Sequence, residues 1–469
     1  MKSKTETKLS NIGKKTVIGI LRTWRELKGT ARLAITGEVR PHLPKEDIDH
    51  LKKQMQSCLN SKGGEITARS QTIELGNTYL NLNATGRAKF LQVIAEDFDI
   101  DRNKLGKIIE SAKNAKDNLK FENELREALI TPRSTILRQF NSLPDGFKFL
   151  VDMRADLMPL LGKNTSLKGL EYDFKNILSA WFDIGLLDLV EITWNSPAAI
   201  LEKLMEYEAV HKVRSWEDMK NRLDSDRRVF AFFHNKMPSE PLIFVHVALT
   251  EGLAGNVQAI LDESSPVTDL RAADTAIFYS ISNAQKGLAG ISFGNFLIKR
   301  VVDKLSREMP KIKHFSTLSP IPNLRAWLDP LLEKGDESIL SGKEIKEIKS
   351  LAESPNAASG LLDLLNGEWY KNSKNAEKLK PILLRLAAHY LINEKKKITA
   401  LDPVAHFHLT NGARLKRINW LGDTSSKGLK QAAGMMVNYY YDLDKIDDNH
   451  EDYVTEGKIS VSRTVRGLL

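Results

Sequence analysis

The chain has 469 residues, 42% hydrophobic and 28% charged, which is too long and too apolar for a disordered tail and amounts to about two to four domains. No apolar run approaches the ~18 residues of a membrane span, since runs such as Leu242–Leu249 are short and carry a polar residue; a single cysteine, Cys58, rules out an intrachain disulfide and thiolate zinc or iron–sulfur clusters and points to a reducing compartment. The net charge of +9 calls for an anionic partner, whether nucleic acid, a membrane surface or a phosphorylated small molecule.

Much of that surplus is N-terminal: residues 1–40 hold ten basic side chains against three acidic ones. Between Lys14 and Leu33 the bases alternate with Val17, Ile18, Ile20, Leu21, Trp24 and Leu27. That pattern fits an amphipathic helix on a membrane, a targeting peptide or a docking helix, and docking is preferred. From about Lys45 to Asp188 apolar residues recur every three or four positions, in Leu80–Phe98, Leu105–Ile130 and Phe147–Leu161, which predicts helix. Breaks fall at Pro41–Pro44, Ser142–Gly146 and Gly162–Asn164.

The texture changes after Gly185. Leu189–Trp194, Val229–His234, Leu242–Leu249, Ala276–Ser282 and Ile312–Leu318 are short, rich in Ile, Val, Phe and Tyr, and read as strands among helices. Residues Pro330–Glu394 return to helix, and strand-like residues reappear at Pro403–Leu409 and Ile418–Leu421. The expected fold class is therefore α+β multidomain. A helical bundle domain covers 1–188, and an α/β domain covers 189–469 with a helical insertion at about 330–400.

One local pattern suggests phosphate binding. A strand, Ala276–Ser282, leads into a loop with Gly287, Gly290 and Gly294 and then into a helix over Asn295–Met309. Glycines allow close backbone approach, and free N–H groups of the loop and first helical turn suit a pyrophosphate. Neither the Walker A pattern nor the dinucleotide fingerprint fits, and an ordinary glycine turn is the plainer reading. Gln285-Lys286-Gly287-Leu288-Ala289-Gly290 is similar to the acetyl-CoA-binding loop of GNAT acyltransferases, with shifted spacing.

Two further segments carry chemistry. In Phe315-Ser316-Thr317-Leu318-Ser319-Pro320-Ile321-Pro322 a predicted strand ends on hydroxyls, although serines before prolines are also turn formers. In Pro403–Ala413, strand alternation places His406 and His408 on one face and Phe407 on the other. A His-x-His pair can bind metal, but no third ligand is evident, so a histidine that donates or orients a proton is preferred. The Asn411-Gly412 turn then leads to Ile418-Asn419-Trp420, as a hairpin or returning loop.

Together, Tyr279-Ser280-Ile281-Ser282, the glycine loop, Phe296–Val302, the Phe315–Pro322 segment, Phe407–Ala413 and Arg417–Trp420 closely resemble the malonyl-CoA decarboxylase family. Similarity runs from about Leu189 to Asp442. The resemblance implies a GNAT-like catalytic domain that converts malonyl-CoA to acetyl-CoA and carbon dioxide, within fatty acid and malonate metabolism. It implies that Ser316 and His408 are catalytic, with Ser319 the alternative serine, and that Gln285, Lys286, Gly287, Leu288, Ala289, Gly290 and Ile291 bind the CoA portion. Asn411 and Tyr439 are supporting candidates, and backbone N–H groups near Ala289–Ile291 are candidate oxyanion donors.

No cofactor is expected beyond the CoA of the substrate, and no metal. A homo-oligomer built through the helical domain is expected, with a tetramer as one form, and neither nucleic acid nor integral membrane association. The C-terminal Arg466-Gly467-Leu468-Leu469 lacks the Ser-Lys-Leu peroxisomal address, and Cys58 is the only thiol. Both suggest a cytoplasmic, bacterial-type member. The alternatives are a GNAT-type acyl-CoA-dependent acyltransferase and, from charge alone, a nucleic-acid-binding scaffold without a recognisable module.

Overall fold

The computed structural model describes residues 39–60, 65–111, 118–162, 164–291 and 297–469. The basic helix expected at Lys14–Leu33, and Gly294 with Phe296, lie outside the described residues. The chain divides into two compact units, one reaching to Trp181 and including Lys286–Ile291, the other comprising Phe182–Gln285 and Ser292–Leu469.

The first unit is helical: Lys45–Leu59, Glu65–Asn81, Ala84–Asp97, Arg102–Ser111, Asn118–Leu129, Pro132–Gln139, Gly146–Leu157 and Leu167–Trp181. The Leu80–Phe98 periodicity hides a break. Asn83 accepts the Gly86 N–H and so starts a new helix, because a side-chain oxygen at that position satisfies a backbone donor the helix cannot. Tyr79 packs edge-on against Phe90 and Phe149 and donates its hydroxyl to Asp156 at 2.9 Å.

The glycine loop belongs to this unit. Arg154, 1% exposed, forms a two-point pair with Glu171 at 3.0 and 2.7 Å and donates to the carbonyls of Gly287, at 2.5 Å, and Ala289, at 2.9 Å. Two uncompensated groups would otherwise be buried there, so the pair and the loop carbonyls satisfy each other. Gly287 packs on the Gly146–Leu157 helix so closely that a Cβ would lie 1.7 Å from the Val151 carbonyl oxygen. Its missing side chain therefore serves packing. Ala289 and Ile291 spend their N–H groups on the Lys286 and Leu288 carbonyls. Lys286, Ala289 and Gly290 are exposed, while Leu288 and Ile291 are buried.

The second unit is built on an eight-stranded sheet. In chain order the strands are β1 (Leu187–Ile192), β2 (Arg227–His234), β3 (Ile243–Thr250), β4 (Thr275–Asn283), β5 (His314–Thr317) and β6 (Ser319–Pro320); β7 and β8 (Lys395–Lys396, Thr399–Ala400) form a separate two-stranded ribbon; and β9 (Arg414–Asn419) and β10 (Met436–Tyr441) rejoin the main sheet. The order is β1-β2-β3-β4-β5-β10-β6, with β9 also on β10. All pairs are antiparallel except β4–β5, which is parallel and connected through the Leu297–Glu308 helix. β2, β3 and β4 are buried at nearly every position because both faces of the sheet centre are covered.

The β4–β5 register runs from Thr275↔His314 to Phe278↔Thr317 and stops there. β4 continues to Asn283, while the other chain turns at Leu318 into β6, which pairs with β10. Four helices, Leu324–Glu333, Gly342–Ala352, Ala357–Asn366 and Ser373–Ile392, occupy the stretch expected to be helical.

Pro403–Thr410, expected as a strand, is a helix. Asp402 accepts the N–H groups of Val404 and Ala405, and Pro403 sits at the first helical position, where its missing N–H costs nothing. This start signal outweighs the alternation of apolar residues along the segment. β10 was not expected at all, and the Asn411-Gly412 turn closes the helix rather than a hairpin, since β9 pairs with β10. Among the described residues no helix is long and apolar enough to cross a membrane.

Replacing Gly287 by Ala forces a Cβ into helix backbone and is expected to cost about 1–3 kcal/mol or more. Chemical denaturation of the purified variant checks this; a stability equal to that of the parent chain would show that the loop does not pack in this way.

Candidate functional site

Where β4 and β5 part, a cavity of about 250 Å³ opens. One wall is the end of β4, Phe278–Ile281 and Asn283; the others are Ser319 and Pro320, the Pro403–Thr410 helix through Pro403, Val404, Phe407 and His408, and Val210 and Ile243. Among the described residues lining it there is no lysine or arginine.

His408, 3% exposed, has both ring nitrogens engaged. Nε2 lies 3.0 Å from Ser319 Oγ and Nδ1 lies 2.8 Å from Tyr441 Oη. Ser319 donates to Thr317 Oγ1 at 2.9 Å, and Thr317 Oγ1 accepts the Tyr439 N–H at 3.1 Å. With the Ser319 proton used there, Ser319 Oγ accepts from Nε2–H, and Nδ1 accepts the Tyr441 proton. The run Tyr441, His408, Ser319, Thr317 is therefore a one-directional chain of donors. Tyr439 stacks its ring on His408 at 4.7 Å and 25°, and its buried hydroxyl finds no partner among the described residues. Burial pushes the imidazole pKa down from 6.5 to about 3, because the surroundings solvate the neutral ring better than a cation.

The end of β5 is held from behind. Asn438, fully buried, donates to the carbonyls of Thr317 and Ala254 at 2.6 and 3.0 Å and accepts from Arg417 Nε at 3.0 Å and Asn419 Nδ2 at 2.9 Å. Every hydrogen-bonding site of that amide is used, so the strand end it supports is rigid.

Ser316 is placed differently from the expectation. It is fully buried, donates to the Tyr439 carbonyl at 3.1 Å and does not line the cavity. Ser319, the alternative serine, is the one beside His408. His406 pairs with Tyr453 Oη at 2.9 Å and does not join His408, because residues two apart on a helix point in divergent directions. No group of three His, Cys, Asp or Glu among the described residues is arranged for a metal. Asn411 closes the helix, its side chain donating to the Phe407 carbonyl, and Gln285 donates to the Pro241 carbonyl at 3.0 Å.

A buried carboxylate stands behind the β4 wall. Glu208 accepts from Val210 N at 2.8 Å, His211 N at 2.9 Å, Ser280 Oγ at 2.7 and 2.9 Å and Ser282 Oγ at 3.2 Å, and His246 Nε2 lies 3.3 Å away. Burial alone would raise its pKa, but His246 and these donors outweigh burial and hold it at about 2. Glu208, Ser280, Thr317, Asn283 and Tyr441 were all missed in the sequence, where no spacing links them. The β-branched and aromatic run Met436–Tyr441 was the one available signal for the strand that brings Tyr441 in.

Comparison with known proteins agrees with this architecture. Models of the malonyl-CoA decarboxylase N-terminal and C-terminal domains match residues 98–182 and 185–469. The chain belongs to the malonyl-CoA decarboxylase family. It is 39% identical over 417 residues to the mitochondrial malonyl-CoA decarboxylase of Anser anser anser, covering 85% of this chain and 83% of that one, and 38% identical over 404 residues to that of Mus musculus, covering 82% of each. The crystal structure of malonyl-CoA decarboxylase from Rhodopseudomonas palustris superposes with a TM-score of 0.81 at 38% identity, covering 90% of this chain and 99% of that one. The Agrobacterium vitis enzyme gives 0.81 at 38%, covering 89% and 99%. The family is one of carboxy-lyases.

The buried neutral His408 makes folding acid-sensitive. Its folded pKa lies below its unfolded value, so below about pH 6.5 the unfolded chain binds a proton that the folded chain refuses until about pH 3, and stability falls as pH falls through that window. Replacing His408 by Ala should flatten the slope of unfolding free energy against pH between 6 and 4 by up to about 1.4 kcal/mol per pH unit. Denaturant titrations across that range check it, and an unchanged slope would mean that the imidazole protonates in the folded chain.

Proposed function

We propose that the cavity at the parting of β4 and β5 binds the malonyl thioester and that His408 and Ser319 deliver the proton that completes decarboxylation. The observation that carries this reading is the 3.0 Å contact between His408 Nε2 and Ser319 Oγ on the cavity wall, backed by Tyr441 on the other nitrogen.

When the malonyl carboxylate departs as carbon dioxide, its bonding electrons pass into the thioester carbonyl and leave an enolate. The thioester is the electron sink, so the chemistry calls for no further organic cofactor. A carboxylate enclosed by Phe278, Ile281, Val404 and Phe407, with no cation among the described lining residues, is poorly solvated, whereas the transition state spreads the same charge over more atoms. The wall thus favours the transition state over the ground state.

Burial keeps His408 neutral in the folded chain. A carboxylate brought beside it opposes the effect of burial and raises the affinity of the ring for a proton. His408 takes up that proton with the substrate, and after carbon dioxide leaves, Ser319 turns its hydroxyl hydrogen away from Thr317 and passes it to the enolate carbon while Nε2–H replaces it. Imidazole returns to neutral, acetyl-CoA is complete, and no covalent bond joins serine to substrate. The Asn283 amide on the wall is a donor for the enolate oxygen.

The strand, glycine loop and helix, together with the parting of β4 from β5, support a GNAT-like reading of the sheet-bearing unit. On that reading the exposed residues of Gln285–Ile291, namely Lys286, Ala289 and Gly290, contact the CoA portion, with the Lys286 ammonium meeting phosphate. The helical unit is the proposed assembly surface of a cytoplasmic homo-oligomer.

His408→Ala and Ser319→Ala are each expected to lose about 10²–10⁴-fold in decarboxylation rate, measured as acetyl-CoA formed from malonyl-CoA without an acceptor. Ser316→Ala should lose less than Ser319→Ala, because its hydroxyl is turned to the Tyr439 carbonyl. The reverse order would return the catalytic role to Ser316, and turnover only in the presence of an acceptor would favour an acyltransferase.

A further inference from the structure

Ser280 lies on the cavity wall, and its single hydroxyl hydrogen is taken by both oxygens of Glu208, at 2.7 and 2.9 Å. Glu208 is buried and ionised, and its other donors are Val210 N, His211 N and Ser282 Oγ. A charge in that setting holds the hydrogens it has, since turning Ser280 toward the cavity would remove a charge-assisted bond from a buried carboxylate. Ser280 therefore offers the cavity only lone pairs. It cannot stabilise an oxyanion, and the carboxylate behind it repels a substrate carboxylate, so the malonyl end is directed to the His408 side.

A malonyl thioester has few hydrogen-bond donors near its reactive end. The carboxylate and the thioester only accept; the first donor is the amide N–H two carbons beyond the sulfur in the pantetheine arm. We propose that Ser280, aligned by Glu208, accepts this amide N–H and so determines specificity for thioesters of pantetheine type. The inference rests on the cavity being the acyl site and adds the group that fixes the arm of the substrate. Ser282 is its internal control: it donates to the same carboxylate two residues along β4 but is not among the residues lining the cavity.

The test is a cycle over two substrates and three proteins. Malonyl-S-(N-acetyl)cysteamine and its ester isostere, in which the amide N–H is replaced by oxygen, are compared by kcat/KM in the parent chain, in Ser280→Ala and in Ser282→Ala. The expected result is a preference of about tenfold for the amide, the worth of one net hydrogen bond, abolished in Ser280→Ala and kept in Ser282→Ala. A ratio is insensitive to partial loss of folding, which lowers both rates together. Equal rates for amide and ester in the parent chain, a preference that survives in Ser280→Ala, or one lost in both variants would overturn the proposal. His408→Ala in the same assay separates the two readings: a common large loss on both substrates upholds the catalytic site whatever Ser280 does, while unchanged turnover sinks the site itself.

Discussion

Parallel pairing between β4 and β5 lasts for four residues and stops, and the consequences reach every part of the site. A sheet that stayed closed would fill the space between these strands with ladder hydrogen bonds. Once they part, β4 keeps one neighbour and shows Ser280 and Asn283 to a cavity, while Ser319 is carried away toward β10. β10 stands at the centre of the rearrangement because it pairs with β5, β6 and β9 at once. Its register shift between Asn438 and Tyr439 lets Asn438 brace the end of β5 from within the sheet while Tyr439 lies on the ring of His408.

The electrostatics of the cavity follow from that geometry. His408 is held neutral by burial, and Glu208 is held ionised by donors despite burial. The contrast is one of solvation: the imidazole has two neutral partners, Ser319 and Tyr441, whereas the carboxylate has backbone N–H groups, hydroxyls and a histidine around it. A negative charge is thus fixed behind the β4 wall while a neutral imidazole stands on the opposite wall, which makes the cavity electrostatically asymmetric.

The glycine loop shows how a motif can be read correctly in outline and differently in detail. Strand, loop and helix are present, but Gly287 is spent on contact with the Val151 carbonyl, and Arg154 holds the loop carbonyls. Exposure is confined to Lys286, Ala289 and Gly290 within the described part of the loop. The loop thus combines an anchor with a short accessible stretch, and only the stretch is available to a ligand.

The sequence by itself determined the family, the helical texture to about residue 181 and most strands of the sheet, because local periodicity and contiguous motifs encode these directly. It misjudged Pro403–Thr410, where the Asp402-Pro403 start signal outweighs alternation, and it did not reveal β10, whose pairing partners are distant in the chain. Which serine meets His408 was likewise invisible. Ser316 and Ser319 are three residues apart in one motif, and only the turn at Leu318, which transfers the chain from β5 to β6, sends one into the sheet and the other into the cavity. Glu208 and Ser280, or His408 and Tyr441, become neighbours through the packing of separate elements. Hydrogen bonds between side chains far apart in sequence leave no periodicity for the sequence to display, and these build the walls of the cavity.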